Sequence, residues 1–419
     1  MPRSSKGPVV ERLKLRRIRI RGFKALAGFD LRIPGDLLVL IGANGSGKSS
    51  VLQALAFLRS LAGGNPAGFF NDRGWTPSEI RTHRGKMLPI RGIDFSIFLE
   101  GETGSRIYWR LIWDTVKQNL NNEEIMIFPH GAAAPKPVLV RSKIGVWTTG
   151  GKDVAAIQPE GSLIPLLDLD AIDQETGRIL ASLHAWGTGI FSLELLSPTA
   201  MRRGTRGSAS DIGPRGERLG GFLASLTPAQ KDRLVARLQL FYPIADLETI
   251  RKRAGWVDLR IAEGFSGTPR IGAAHMSDGF MRLLGLAAIP EFGDDASTIL
   301  LDEVEDGIDP HILPTLIELI ARESRSQLIL TSHSPVLVNQ FGPDQIAFVA
   351  RRDDGQAVAA SYREMKPLMD GLTYFGPGEM WNNTNTETIS RMVQEANDAT
   401  KAKYSALTVP TIMKFMENI

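Results

Sequence analysis

Residues 37–50 read LLVLIGANGSGKSS, five apolar residues running into a glycine-rich turn that ends in a lysine and two hydroxyls. The apolar run predicts a buried strand. The segment KSSVLQALAFLRSL at 48–61 predicts a helix with Leu52, Leu55 and Leu58 on one face. A strand that turns through glycines into a helix N-terminus aims successive backbone N–H groups at an anion. Gly42 to Ser49 fills the pattern GxxxxGK[ST] completely. The candidate nucleotide-binding residues here are therefore Gly42, Ala43, Asn44, Gly45, Ser46, Gly47, Lys48, Ser49 and Ser50. In such a loop the lysine neutralises the β- and γ-phosphates of ATP, and the Ser49 hydroxyl ligates Mg²⁺.

The chain has 419 residues, enough for two to three domain-sized units (about 100–200 residues each). Its 43% hydrophobic and 23% charged content is ordinary for a soluble globular protein. The absence of cysteine excludes disulfides, thiolate nucleophiles and Cys-based zinc sites, and fits a reducing cytoplasm. No window approaches the ~18–20 apolar residues that cross a bilayer, and the opening lacks a signal-peptide pattern. The expectation is a cytoplasmic protein with no membrane partner. Net charge is only +3, but residues 1–26 carry nine Lys and Arg against one Glu. That run reads either as a solvated edge strand protected by charge or as a contact for nucleic acid. The first reading is the more ordinary one.

Strand-like pieces at 13–20 and 29–34 precede the glycine loop. Beyond the helix, GGNPAGFFNDRG reads as loop, and TPSE at 76–79 as the capped start of a helix. IRGIDFSIFLE, GETG and RIYWRLIW at 90–113 predict a hairpin. The Gly-, Ser- and Arg-rich stretch 201–221 reads as a mobile loop, and TPAQ at 227–230 opens another capped helix. STILL then ends at Asp302 and QLILTS at His333, with a helix between them; QIAFVA is one more strand. A tail helix places Ile389, Met392, Val393 and Ala396 on one face, expected to dock on the head. Alternating strands and helices imply a mainly parallel sheet with ligand sites at the carboxyl ends of its strands.

Two further groups lie at such ends. In LLDEVEDGIDP, 300–310, Asp302 is a candidate metal ligand and Glu303 a candidate general base that polarises the attacking water. Glu305 is a weaker candidate with an auxiliary role. His333 in LILTSHSP is a candidate catalytic residue, able to donate a hydrogen bond to the γ-phosphate or the lytic water.

GANGSGKSS, MSDGF at 276–280, LLDEVEDGIDP and TSHSP occur in the order of an ABC-type ATPase. The chain most resembles the soluble branch with RecF, SMC and OLD-like proteins, AAA-family ATPases of bacterial repair or anti-phage defence. The resemblance covers 13–61 and 245–380. It implies an α/β P-loop NTPase head with a mixed, mainly parallel sheet and a strand-rich inserted α+β subdomain. The implied layout is a head of 1–61 with 241–380, an insertion at 62–240, and a helical tail at 381–419. Ser277 and Gly279 match the signature motif that meets the nucleotide of a second subunit. Asp309 matches the loop aspartate that communicates across that interface, His333 the switch histidine, and Lys24 a basic residue near the nucleotide. Asp278 and Phe280 depart from the usual signature, and no position matches the coupling-loop glutamine.

The resemblance further implies ATP and Mg²⁺ as ligands and an ATP-dependent homodimer or higher oligomer. Candidate partners are DNA and a separately encoded nuclease or toxin. The basic segments suit nucleic acid but lack interleaved aromatics at a stacking spacing. A transporter subunit fits poorly because the insertion is long, and an SMC-like filament because no heptads are sustained. Residues 351–419 hold no acidic metal pattern, so no nuclease activity is expected in this chain.

Overall fold

The computed structural model describes residues 10–83, 90–129, 135–141, 145–194, 196–265 and 269–405; Arg3 and Lys6 of the basic opening lie outside them. The chain forms two compact units, residues 1–190 with 341–419, and residues 191–340.

The first unit begins with β1 (Leu13–Arg21), β2 (Phe29–Arg32), β3 (Leu37–Ile41), α1 (Lys48–Ala62) and α2 (Pro66–Arg73). It continues through β4 (Gly92–Gly101), β5 (Arg106–Asp114), β6 (Asn119–Phe128), β7 (Lys136–Arg141), β8 (Trp147–Thr149), β9 (Lys152–Ala155) and α3 (Gln174–Thr188). Eight of these strands make one antiparallel sheet in the order β2-β1-β4-β5-β6-β7-β8-β9. The hairpin read at 90–113 is β4 with β5, in register from Gly92 opposite Asp114 to Glu100 opposite Arg106.

β1 is flanked by β2 and β4, so it is not the edge strand expected from its charges. Its cations meet carboxylates of neighbouring segments instead. Arg17 forks onto Asp30 at 2.7 and 2.6 Å, and Arg19 reaches the same carboxylate at 3.0 Å. Arg16 bonds Glu100 at 2.7 Å, and Lys14 bonds Asp36 at 2.8 Å. Burial pushes the Asp30 carboxyl upward, but the Arg17 and Arg19 guanidinium groups outweigh it and hold the pKa below the ordinary aspartate value. Four cations of the basic run, Lys14, Arg16, Arg17 and Arg19, are therefore paired with carboxylates of the same unit.

The glycine-rich segment after Leu61 also differs from the loop expected of it. Asn65 accepts the Gly68 N–H and Pro66 occupies the first turn, so α2 forms there. Its Phe69 and Phe70 pack on Phe57 of α1 at 5.1 and 5.6 Å, and Trp113 of β5 meets Phe57 at 5.1 Å. This aromatic cluster fixes α1, and with it the loop that feeds α1. Conversely, in TPSE the Thr76 N–H and hydroxyl both donate to Glu79, the hydroxyl at 2.8 Å, but no helix follows through His83. Arg81 pairs instead with Phe23 as an isolated β-bridge.

The second unit follows β10 (Ile190–Leu193) with α4 (Pro198–Met201), β11 (Thr205–Arg206), α5 (Leu219–Leu223) and α6 (Pro228–Gln239). Next come β12 (Ile244–Arg251), β13 (Trp256–Glu263), β14 (Ile271–Gly272), α7 (Asp278–Ala287), β15 (Thr298–Leu301), α8 (Leu313–Glu323), β16 (Gln327–Thr331) and α9 (Pro335–Val338). β15 lies between β10 and β16, and runs parallel to β16. Both β15 and β16 are wholly buried, as strands covered on both faces must be. β11 to β14 form a small antiparallel sheet. The stretch 201–221, expected to be an open loop, supplies β11 and part of α5, and buries Asp211, Ile212 and Leu219. α6 carries the expected capping box of Thr227 and Gln230. Its buried Arg237 bonds Glu291 at 3.0 Å and Glu323 at 2.8 Å, so the cation is not left unpaired.

The chain then returns to the first unit with β17 (Ile346–Arg351), β18 (Ala357–Ser361), α10 (Lys366–Gly371), α11 (Pro377–Asn383) and α12 (Thr386–Ser405). β17 pairs parallel with β3 and antiparallel with β18, a mixed arrangement. α12 docks on β17 and β18 through Ile389, Met392 and Val393, and Asn397 Nδ2 donates to the Ala359 carbonyl at 2.9 Å.

Candidate functional site

In the first unit, β3 ends at Ile41 and α1 starts at Lys48, so Gly42–Gly47 bridge one strand and one helix. Gly42, Gly45 and Gly47 hold φ of +145°, +73° and +113°. A Cβ on Gly42 would lie 2.2 Å from the Val349 carbonyl oxygen of β17, so only glycine lets the loop run this close to the sheet. Ala43, Asn44 and Gly45 are exposed at the crest, while Ser46, Gly47 and Lys48 are buried. Lys48 Nζ folds over the loop and donates to the carbonyls of Gly42 and Ala43 at 2.9 and 3.1 Å.

The N-terminus of α1 has no side-chain cap and no acidic residue in its first turn. The buried Ser46 Oγ has no hydrogen-bond partner among the described residues. Helices ordinarily satisfy their first N–H groups with Ser, Thr or Asp; here glycine stands at the cap position, as it does where a helix N-terminus receives an anion. These features fit a phosphate chain, and Ser49, in the first turn of α1, stands where it could ligate a metal. Lys24, at φ +46°, donates Nζ to Gln53 Oε1 of α1 at 2.8 Å and lies 3.8 Å above the Trp75 ring.

In the second unit, Asp302 and Glu303 follow β15. Glu303 sits at φ +47°, a left-handed conformation costing a non-glycine residue about 1–3 kcal/mol. Thr331 at the end of β16 supports it. Its hydroxyl, fully buried, donates to Asp302 Oδ1 at 2.6 Å and accepts the Glu303 N–H at 2.8 Å. Asp302 N–H is held by Leu193 O of β10 at 3.1 Å. The backbone of this strained turn is thus held from both neighbouring strands. The His333 N–H donates to Glu305 Oε1, and Glu305 Oε2 is buried with no partner among the described residues. Glu305 therefore fixes the backbone that carries His333.

Ser277 caps α7, accepting the Phe280 N–H at 3.1 Å, and its exposed hydroxyl keeps a proton to donate outward. Asp278 pairs with Arg202, a use for the departure from the usual signature. Arg282 of α7 bonds Asp306 at 2.7 Å, and the Gly307 carbonyl passes 3.2 Å from where a Gly279 Cβ would stand. The Ser277–Gly279 turn and the acidic loop 302–309 are thus joined in one unit. Asp309 turns onto its own backbone, accepting the His311 N–H at 2.9 Å at the entry to α8.

A family model described as "AAA domain, putative AbiEii toxin, Type IV TA system" matches residues 37–106 and 167–339, more than half of the chain. The chain belongs to this AAA family. No curated protein matches it. Among solved structures, the SMC head bound to the C-winged helix domain of ScpA is similar at 15% identity and TM-score 0.53, covering 83% of this chain and 97% of that one. The Smc head domain derived from Pyrococcus furiosus, with an extended coiled coil and bound to the C-terminal domain of ScpA, is similar at 13% identity and TM-score 0.51, covering 86% and 100%. This AAA domain therefore has the α/β P-loop NTPase fold seen in SMC heads, with a mixed sheet. Family membership implies nucleotide binding.

Sequence reading of the AAA domain missed Thr331, Arg282 and Asp306. Threonine at a strand end and an Arg–Asp pair 24 positions apart give no local signal. Glu305 was visible, but not its hold on His333. Among the described residues, no group of three or more His, Asp and Glu could hold a metal by itself, and no helix is long and apolar enough to cross a membrane.

Proposed function

We propose that this AAA domain hydrolyses ATP, and that ATP-dependent head dimerisation drives a conformational change in DNA repair or anti-phage defence in the cytoplasm. The observation that carries this reading is the uncapped, acid-free start of α1 beneath a loop shaped by glycines, with Lys48 folded over it. In this reading the 42–50 loop binds the phosphates, and Lys48 turns from its loop carbonyls to the β- and γ-oxygens. Ser49 and Asp302 would hold Mg²⁺, which when bound would supply positive charge against the departing phosphate. Glu303 takes a proton from water as its oxygen attacks the γ-phosphorus; the bond to the β-bridging oxygen breaks, giving ADP and phosphate. His333 donates to the γ-phosphate.

Ser277, Gly279 and Asp309 act toward a second copy in a two-fold head-to-tail dimer, whose closure and release are the mechanical output. The 1–61, 241–380 head, the 62–240 insertion and the 381–419 tail divide the work between chemistry and coupling. A second reading, a scaffold that holds a separately encoded toxin or nuclease, is supported by the family's toxin–antitoxin description.

Glu303→Gln tests the proposal. The variant is expected to bind ATP like the wild type, lose turnover by roughly 10²–10⁴-fold, and accumulate dimers in light scattering with ATP. Turnover at the wild-type rate would overturn the assignment of the base.

A further inference from the structure

The Arg-rich segment that lacks aromatics in sequence gains one in the fold. β12 and β13 turn through Arg251, Lys252, Arg253, Ala254, Gly255 and Trp256, every one exposed. The Trp256 indole is 45% exposed. β11 pairs alongside with Arg206 opposite Trp256. The Arg206 guanidinium lies 5.8 Å from the ring centroid, and its Nε donates to the Ala254 carbonyl at 3.2 Å. The Gly207 N–H donates to the Gly255 carbonyl at 3.0 Å, so both segments form one surface.

Arg206, Arg251, Lys252 and Arg253 are exposed on these two segments, and Arg203 is exposed two residues before β11. Asp258 is the only carboxylate in segments 203–206 and 251–258, and it pairs with Lys252. Ala254 is held at φ +60° at the tip, a conformation that alanine disfavours.

Arg206 beside the exposed indole, with Arg251 and Arg253 exposed on the adjoining turn, matches two chemistries at once: guanidinium groups take phosphates, and the ring face takes a base. We propose that this hairpin tip binds single-stranded nucleic acid, Trp256 stacking on a base and the arginines tracking the backbone. A duplex hides its base faces and would engage the cations alone. The inference deepens the DNA-linked reading above and rests on it, but it uses no residue of the nucleotide machinery.

The test is fluorescence anisotropy of the full chain with labelled oligothymidine and, separately, a labelled duplex, across a salt series. Trp256→Ala should weaken oligothymidine binding by roughly 5- to 150-fold, and Trp256→Phe should restore most of it. Arg251→Gln with Arg253→Gln should flatten the slope of log affinity against log salt by about 0.7 per lost phosphate contact. Wild-type affinity in both variants would overturn the proposal, as would duplex binding equal to single-strand binding with Trp256→Ala neutral. Basal ATP turnover without nucleic acid should be unchanged in every variant. Normal turnover with no binding refutes this surface alone, whereas a wild type that neither binds nor hydrolyses ATP refutes the ATPase reading instead.

Discussion

Thr331→Val is a sharp test of how the acidic strand end is built. Valine keeps the volume and branching of threonine, so β16 should pack as before, but two hydrogen bonds vanish together. One is the 2.6 Å bond donated to Asp302, and the other the 2.8 Å bond accepted from the Glu303 N–H. A hydrogen bond to a charged group contributes about 1.5–3 kcal/mol and a neutral one about 0.5–1.5. Because Asp302 is half-buried and Glu303 exposed, the lower part applies, about 2–3 kcal/mol together. The larger consequence falls on aim. Glu303 at φ +47° loses the contact that holds it there, and a misplacement of about 1 Å costs on the order of 10²-fold in turnover. Urea unfolding should show the stability loss, and a phosphate-release assay the fall in kcat with ATP affinity nearly unchanged. Thr331→Ser, which keeps the hydroxyl, should recover most of both. If Thr331→Val unfolds and turns over like the wild type, the hydroxyl does not organise this turn.

Gly42→Ala should cost about 2–6 kcal/mol, joining a disfavoured backbone conformation to overpacking, since its Cβ would stand 2.2 Å from the Val349 carbonyl; a loss below about 1 kcal/mol in urea unfolding would contradict the close approach. Asp30→Asn should destabilise by about 3–5 kcal/mol at neutral pH because it leaves buried Arg17 without its carboxylate. The Asp30 pKa is lowered in the fold, so its contribution is present above the unfolded value of 3.8 and lost as pH falls through the folded value. The gap between wild type and variant should therefore narrow only below about pH 3.8, and a gap that closes between neutrality and mild acid would be inconsistent with the pairing.

The strands before and after the glycine loop, the 90–113 hairpin, and the strands that end at Asp302 and His333 were legible in the chain itself. Each is a contiguous run whose backbone chemistry is local: glycines permit φ values that other residues resist, and apolar stretches mark buried strands. The helix at 66–73 was hidden because its Gly and Pro also suit turns, and only packing of Phe69 and Phe70 on Phe57 decides between them. TPSE failed in the opposite sense, its Thr76–Glu79 contact forming with no helix after it, because bridging to Phe23 takes the chain elsewhere.

By itself the sequence determined the strand, glycine turn and helix on which the proposed anion site rests, since such a turn is set by local backbone conformation. Tertiary structure alone decided what the charges do. The arginines of β1 meet Asp30 and Glu100 through strand register, while Arg206 reaches Trp256, 50 positions away, only because β11 and β13 pair. The physical reason is that backbone conformation is set by neighbours along the chain, whereas the partner of a side chain is set by which strands lie side by side.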